Sequence, residues 1–329
     1  MNLPPESFTA KYGSSVYLNT DEELEIGTDD YISWYLLNRA SDATNLALKQ
    51  LGHTSLRVSS AYLPSLKPRA FAYWSIKSPK DYVISCTRGT SETIRHILTE
   101  GDFNSLLPDD SIALSKMHVE DISALAVSLT LATILFHEVA HVTRFHLPYL
   151  VEKERAEPES LQNARGLCEV DADKWASYLI APDLLAQAQG IHKALMLPVS
   201  IETVLREVLT LYGIALHLWF TFNNEITFRK SSIYPHPLIR STRITVGAAD
   251  NIPTESEKME PIAIERTISI LDGLNTVEKT RLRSEGAMQH PFELSQELYS
   301  INDKFSALES ILNPELDDVR SRWGSPTEA

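Results

Sequence analysis

Residues 122–141 read ISALAVSLTLATILFHEVAH, and this stretch combines a long apolar run with a cluster of titratable side chains. The run from Ile122 to Phe136 is apolar with small residues interleaved, which predicts a helix that is buried on most sides. Polar groups at the end of so apolar a helix are costly unless they are hydrogen-bonded or bind a metal. The stretch therefore predicts a core helix that carries a site at its C-terminal end.

His137, Glu138 and His141 on this helix form the HExxH pattern of zinc hydrolases. The two histidines are about 40° apart around a helix and can reach one metal, while Glu138 flanks them at about 100°. Neutral imidazole suits Zn²⁺, and the carboxylate can take a proton from a metal-bound water. The alternative is that both histidines are structural groups whose hydrogen bonds are satisfied within a buried helix.

A catalytic zinc site has three protein ligands and leaves a fourth position for water. His146 is the next histidine along the chain, but on a continuous helix it points about 180° away from His137. We therefore expect His146 to be a helix-end residue that interacts favourably with the C-terminal end of the helix dipole. The third ligand has to come from another part of the chain.

Residues 167–176 read LCEVDADKWA and predict a second helix, which runs to about Ile180 and is ended by Pro182. Glu169 and Asp173 are one helical turn apart and share a face of this helix. Glu169 can supply the third ligand oxygen, and Asp173 can accept a hydrogen bond from the outer nitrogen of a ligating imidazole. The alternative is that both residues belong to an acidic first turn that complements the helix dipole.

The pattern HExxH followed by ExxAD resembles the gluzincin metallopeptidases of the HtpX type. That family also tends to carry a His-Pro pair followed by arginine, and His236-Pro237 is followed here by Arg240 and Arg243. The resemblance covers three short segments between residues 122 and 243. It implies zinc-dependent peptide hydrolysis with three metal ligands and one general base. The residues in these implied roles are the ligands His137, His141 and Glu169 and the base Glu138.

One departure from this family concerns the membrane. HtpX-type enzymes proper are embedded in a membrane, whereas the two longest apolar runs of this chain, Ile122 to Phe136 and Val208 to Phe222, are shorter than the roughly 20 residues that span a bilayer. Both runs therefore predict buried core helices. A looser similarity is to the phage-exclusion peptidase Lit, a bacterial HExxH protease that cuts a translation factor.

Pro235 and Pro237 bracket His236 and hold it in an extended or turn conformation before a short helix that starts near Leu238. A rigid loop of this kind can direct a hydrogen-bond donor at a developing oxyanion, a contact worth about 3 kcal/mol. We expect His236 or Tyr234 to play this role. The alternative is a proline-rich turn whose side chains face solvent.

The composition restricts the compartment and the partners of this 329-residue chain. Cys86 and Cys168 provide no disulfide framework, so we expect a reducing, cytoplasmic environment. The net charge of −14 argues against nucleic acid or an anionic membrane surface as a partner. We expect a protein or peptide substrate and no stable membrane insertion, and an activating partner stays an open alternative.

Three further segments bear on the fold. Asp29 to Gln50 predicts a helix, and the strands Ala70–Ile76 and Asp81–Thr87 predict a hairpin that either binds substrate by strand addition or only covers the core. The polar segment from Glu152 to Arg165 predicts a solvated loop or a lid.

Together these patterns predict a mainly α fold with a small β-sheet, an α+β zincin-like arrangement in which the active-site helix packs against a second ligand-bearing helix. We expect an acidic N-terminal segment (residues 1–30), a zincin-like metallopeptidase domain (31–248) and a C-terminal helical subdomain (249–329). The predicted function is a zinc-dependent metalloendopeptidase that acts on a protein substrate through a metal-activated water. The alternative is a non-catalytic helical interaction or regulatory protein, with a pseudo-protease site or a structural zinc site.

Overall fold

A computed structural model of the chain describes residues 4–12, 28–100, 103–108, 111–223, 237–253, 259–282, 303–304 and 306–323. Over these residues the protein is mainly helical and contains one three-stranded sheet, which confirms the predicted combination of helices with a small sheet. The helices are α1 (Glu6–Tyr12), α2 (Asp29–Gln50), α3 (Arg88–Glu100), α4 (Val119–Thr143), α5 (His146–Ala156), α6 (Leu161–Ala194), α7 (Ile201–Asn223), α8 (Pro237–Asp250), α9 (Met259–Val277) and α10 (Asn313–Trp323). The strands are β1 (Arg57–Leu63), β2 (Ala70–Ser75) and β3 (Ser78–Thr87).

The chain forms two compact units, each made of segments that are separate in sequence. We call them the first unit (Met1–Thr93, Ile134–Trp175 and Asn302–Ala329) and the second unit (Ile94–Thr133 and Ala176–Ile301). The predicted division of the chain at residues 30 and 248 stays a prediction.

The sheet of the first unit has the strand order β1-β3-β2. β2 and β3 pair antiparallel, which confirms the predicted hairpin, and β1 adds to β3 in parallel orientation. β1 was not predicted, because its sequence RVSSAYL lacks the polar–apolar alternation of a half-buried strand and the strand is buried on both faces. Helix α2, which has the predicted bounds, is tied to β1 by Asn45, whose side chain accepts from the backbone N–H of Val58 and donates to its carbonyl.

The connection between α4 and α5 contradicts the prediction for His146. Helix α4 ends at Thr143, Phe145 adopts a left-handed backbone conformation with φ of 63°, and His146 is the first residue of α5 rather than the last of α4. A left-handed non-glycine residue costs roughly 1–2 kcal/mol. The Phe145 ring is fully buried and packs edge-on against His53 with the ring centroids 5.2 Å apart, which offsets this cost.

Two predictions about the chain from Glu152 onward are also wrong. The segment from Glu152 to Arg165 is not the predicted solvated loop, since α5 continues to Ala156 and α6 begins at Leu161 after one 3₁₀ turn. Its polar composition reflects exposed helix faces, which have the same composition as a solvated loop. Pro182 does not end α6, which runs on to Ala194. Burial of the flanking residues Ile180 and Leu184 offsets the roughly 3 kcal/mol that an interior proline costs.

The second unit contains a core of three helices, in which α7 packs against α8 and α9. The Cβ of an alanine at position 273 would lie 2.8 Å from Cγ2 of Thr210, so a side chain there would displace Thr210 where α9 packs against α7. Arg266 on α9 is 2% exposed and donates from Nε and Nη2 to the carboxylate of Glu202, with both distances 2.8 Å. Its Nη1 donates to the carbonyls of Ala249 and Ile252, so this buried guanidinium holds the end of α8.

Helix α4 is long and apolar enough to cross a membrane by length and composition, with a mean hydropathy of 1.7 over its most apolar window. Within the protein 72% of that window is buried, as in the core helix of a folded domain. This burial agrees with the predicted core helix.

Candidate metal centre

The site lies in the first unit, where the C-terminal part of α4 meets the N-terminal half of α6. His137 and His141 project from adjacent turns of α4, and Glu169 projects from α6. Nε2 of His137 lies 3.1 Å from Nε2 of His141 and 3.1 Å from Oε2 of Glu169. Nε2 of His141 lies 3.6 Å from Oε1 of Glu169. The three residues that the sequence suggested as ligands therefore converge on one point, and this cluster could hold a metal ion.

The spacing of these atoms can be compared with the geometry of a tetrahedral zinc site. Ligand atoms bound at about 2.0–2.2 Å to one tetrahedral zinc are separated by roughly 3.3–3.5 Å. The two imidazole nitrogens are 3.1 Å apart, and they contact different oxygens of Glu169, Oε2 at 3.1 Å from His137 and Oε1 at 3.6 Å from His141. These separations are close to the tetrahedral range, so an ion could bind after a modest rotation of the Glu169 carboxylate. The donor set of two imidazoles and one carboxylate is also one that zinc accepts.

Asp173 orients the first imidazole. Its Oδ1 lies 2.8 Å from Nδ1 of His137, so the outer ring nitrogen faces a carboxylate while Nε2 faces the ligand cluster. Burial alone would lower the pKa of His137, but the hydrogen bonds to Asp173 and Glu169 outweigh it and raise this pKa to about 10. Without a bound metal the imidazole therefore carries a proton at neutral pH.

The second imidazole is oriented by a chain of buried polar groups that leads away from the ligand cluster. Nδ1 of His141 lies 3.0 Å from Nδ1 of His146, and Nε2 of His146 lies 3.0 Å from Oδ2 of Asp171. Arg144 donates from Nε to the same Asp171 oxygen at 2.8 Å. If Asp171 accepts from Nε2–H of His146, then Nδ1 of His146 is an acceptor for Nδ1–H of His141. That tautomer leaves the Nε2 lone pair of His141 directed at the ligand cluster.

The pKa values of this chain follow its geometry. Burial lowers the pKa of His141 to about 4. The negative charge of Glu169 opposes this decrease only in part, and the positive charge of His137 lowers the pKa further. Burial also lowers the pKa of His146. Burial would raise the pKa of Asp171, but its hydrogen bond to His146 and the charge of Arg144 outweigh this and hold the pKa below its usual range. At neutral pH the imidazoles of His141 and His146 are therefore neutral, and the carboxylate of Asp171 is ionised.

Glu138 reaches the sheet rather than the ligand cluster. Its Oε2 accepts a hydrogen bond of 2.7 Å from the backbone N–H of Ala72, in the middle of β2. The carboxylate of Glu138, next in sequence to the candidate ligand His137, is therefore held at the edge of the sheet.

Several predicted and unpredicted residues complete the description. Tyr234 and His236 lie outside the described residues, so their oxyanion role stays a prediction. The thiol of Cys168 is fully buried, and burial raises its pKa well above the usual range. His146 and Asp171 were missed, because His146 was placed on a continuous α4 and Asp171 is two residues from Glu169, on a different helix face.

Comparisons of this chain with protein-family models, with curated proteins and with solved structures gave no match.

Proposed function

We propose that this protein is a zinc-dependent metalloendopeptidase that hydrolyses peptide bonds of a protein substrate. The convergence of His137 Nε2, His141 Nε2 and a Glu169 oxygen within 4.8 Å of one another carries the proposal. Three ligands drawn from two helices, with both imidazoles oriented by buried partners, leave a fourth position for water and substrate, as catalytic zinc sites require. We also propose that the helices and the sheet of the first unit have a zincin-like arrangement.

When bound, zinc would supply a Lewis acid that activates water and polarises the scissile carbonyl. Glu138 would accept the proton from the attacking water and deliver it to the leaving amine. Its hydrogen bond to Ala72 holds the carboxylate beside the edge of β2, where an extended peptide can add as a further strand. Asp173 and His146 would hold the two imidazoles with Nε2 directed at the metal.

Two measurements distinguish the proposed peptidase from the non-catalytic alternatives. The first is the zinc content of untagged protein, purified without chelator and measured by elemental analysis. The second is cleavage of casein, a largely disordered protein, with and without a zinc chelator. Wild type is compared with His141→Ala and with a control variant, His118→Ala, because His118 is an exposed histidine outside the site.

The proposal predicts about one zinc per chain and chelator-sensitive cleavage in wild type and in the control, with both lost in His141→Ala. Zinc in stoichiometric amount without cleavage of casein supports a structural metal site instead. No zinc after supplementation, in protein that is folded by circular dichroism, supports a helical interaction protein with structural histidines.

A further inference from the structure

The edge of β2 that faces away from β3 is defined by the pairing of the two strands. The backbone N–H of Thr87 donates to the carbonyl of Arg69, so residues 69, 71 and 73 direct their backbone groups towards β3. Residues 70, 72 and 74 direct theirs away from it, as the hydrogen bond from Ala72 to Glu138 shows. Among the described residues no strand pairs with β2 on this side. Glu138 takes the Ala72 N–H, and the other outward-facing backbone groups of residues 70, 72 and 74 lie on either side of this contact.

A groove of about 300 Å³ follows this edge and separates it from α5. Its apolar walls come from aromatic side chains of α1 and β2 on one side and from aliphatic side chains of α5 on the other; these residues are Tyr12, Phe71, Tyr73, Leu147, Leu150 and Val151. Ala72 also lines the groove, so the groove and Glu138 share a hydrogen-bonded residue. A ligand in the groove therefore contacts the residue to which Glu138 is hydrogen-bonded.

The charged side chains around the groove are mostly basic. Lys11, Arg69 and Arg165 are exposed at its rim and face a single acidic side chain, that of Glu154. In the described part of the chain, no carboxylate forms an ion pair with any of these three cations. The guanidinium of Arg69 lies 4.5 Å from the centre of the Phe71 ring, and Nζ of Lys11 lies 5.2 Å from that of Tyr12. Cation–π contacts therefore hold two of the positive charges against the aromatic wall.

This positive rim is a local feature. The whole chain has a net charge of −14, so basic side chains without carboxylate partners run against its overall charge. A second cavity of about 660 Å³ lies beyond Trp74 in the same unit, and the side chains that line it include three basic and four acidic residues. Basic side chains therefore outnumber acidic ones around the groove but not around this second cavity.

We infer that the groove beside β2 binds an extended peptide segment that carries acidic side chains among apolar ones. The segment lies along the edge of β2 and forms backbone hydrogen bonds with its outward-facing groups other than the Ala72 N–H, which is bonded to Glu138. Asp or Glu side chains of the segment pair with Lys11, Arg69 and Arg165, while apolar side chains contact the aromatic and aliphatic walls. The inference rests on the proposed function only in that the bound segment is also the substrate.

The expected preference is modest, because the three cations are exposed. An exposed ion pair is worth up to about five-fold in binding, and it weakens as salt screens the charges. Two acidic side chains in one peptide therefore give a preference on the order of ten-fold at low ionic strength.

The experiment uses two mixtures of acetylated decapeptides with the same randomised uncharged positions, one carrying two Glu and the other two Lys. Zinc-loaded wild-type protein is incubated with each mixture, and cleavage is followed by mass spectrometry. Retention of each mixture is measured on immobilised Glu138→Gln protein. The test variant is Lys11→Glu combined with Arg69→Glu, and the control is Lys49→Glu combined with Lys193→Glu, which changes the net charge equally at exposed sites outside the groove.

The inference predicts that the Glu mixture is retained and cleaved in preference, and that the test variant loses or inverts this preference while the control keeps it. Equal use of both mixtures, preference for the Lys mixture, or a preference that the test variant leaves unchanged overturns the inference. If both mixtures are cleaved at the same rate, the inference is wrong but the proposed peptidase function is still supported. If the Glu mixture is retained through Lys11 and Arg69 but is not cleaved, the result supports peptide binding in the groove and contradicts the proposed peptidase activity.

Discussion

The carboxylate of Glu138 and the backbone N–H of Ala72 form a hydrogen bond of 2.7 Å, although 66 positions separate the two residues in sequence. This contact joins the helix that carries two candidate ligands to the edge of the small sheet. A peptide added to that edge would therefore have its backbone beside the candidate base, and the relative positions of base and substrate would be fixed by the fold.

Replacement of Glu138 by glutamine tests the base directly. Gln retains an oxygen that can accept from Ala72 N–H but cannot take a proton, so we expect unchanged zinc content and a loss of peptide cleavage of about 10²- to 10⁴-fold. Zinc is measured by elemental analysis and cleavage with casein. Cleavage at the wild-type rate in Glu138→Gln would exclude this residue as the base.

His146 is predicted to position His141 by accepting a hydrogen bond at Nδ1. We expect His146→Leu to weaken zinc binding about 10- to 100-fold, the usual effect of removing a partner of a ligating imidazole. His146→Gln, which keeps an acceptor, should recover much of this loss. Both affinities are measured by competition with a chromophoric chelator, next to the unfolding midpoint of each metal-free variant. Equal zinc affinities in His146→Leu and His146→Gln would show that packing of the side chain at this position, and not its hydrogen bond to His141, affects zinc binding.

Zinc binding is predicted to displace a proton from His137. In metal-free protein the pKa of His137 is raised to about 10 and that of His141 is lowered to about 4, so at pH 7 only His137 is protonated. A ligating imidazole must be neutral. We therefore expect release of about one proton at pH 7 and a roughly ten-fold rise in affinity per pH unit until the pH approaches the pKa of His137.

Titration calorimetry at pH 7 in buffers of different ionisation enthalpy measures the number of protons released. A value near zero, or an affinity that does not change between pH 7 and 9, would contradict the predicted protonation of His137.

Arg266 provides a prediction for the stability of the second unit. Its buried guanidinium holds Glu202 and two backbone carbonyls, so Arg266→Met leaves a carboxylate and two acceptors without their donor. We expect the free energy of unfolding to fall by about 3–5 kcal/mol. The control is Arg206→Met, which removes the more exposed ion pair with Glu265 and should cost about 1 kcal/mol or less. Similar losses in the two variants, measured by urea denaturation, would refute this role.

The parts of the site that depend on helical periodicity could be predicted from the sequence. The shared faces of His137 with His141 and of Glu169 with Asp173 follow from spacings of four residues. The left-handed turn at Phe145 could not be predicted, because it depends on burial of the ring against residues distant in sequence. The placement of His146 failed for this reason.

The same distinction applies to the fold. Helix α2 and the hairpin of β2 and β3 have local patterns, whereas β1 depends on two partners distant in sequence, because it pairs with β3 and packs against α2. The contact between Glu138 and Ala72 likewise depends on long-range packing. Local spacing therefore predicted which side chains could share a metal, and tertiary structure determined what surrounds them.

Anomalous scattering at the zinc absorption edge, from crystals of the untagged protein grown with zinc, would show whether this cluster binds a metal. We expect a single strong peak about 2.0–2.2 Å from Nε2 of His137, Nε2 of His141 and a carboxylate oxygen of Glu169. We also expect that no peak appears there in crystals of His141→Ala. Well-ordered side chains at these positions with no peak among them, in crystals soaked at saturating zinc, would contradict the proposed zinc site.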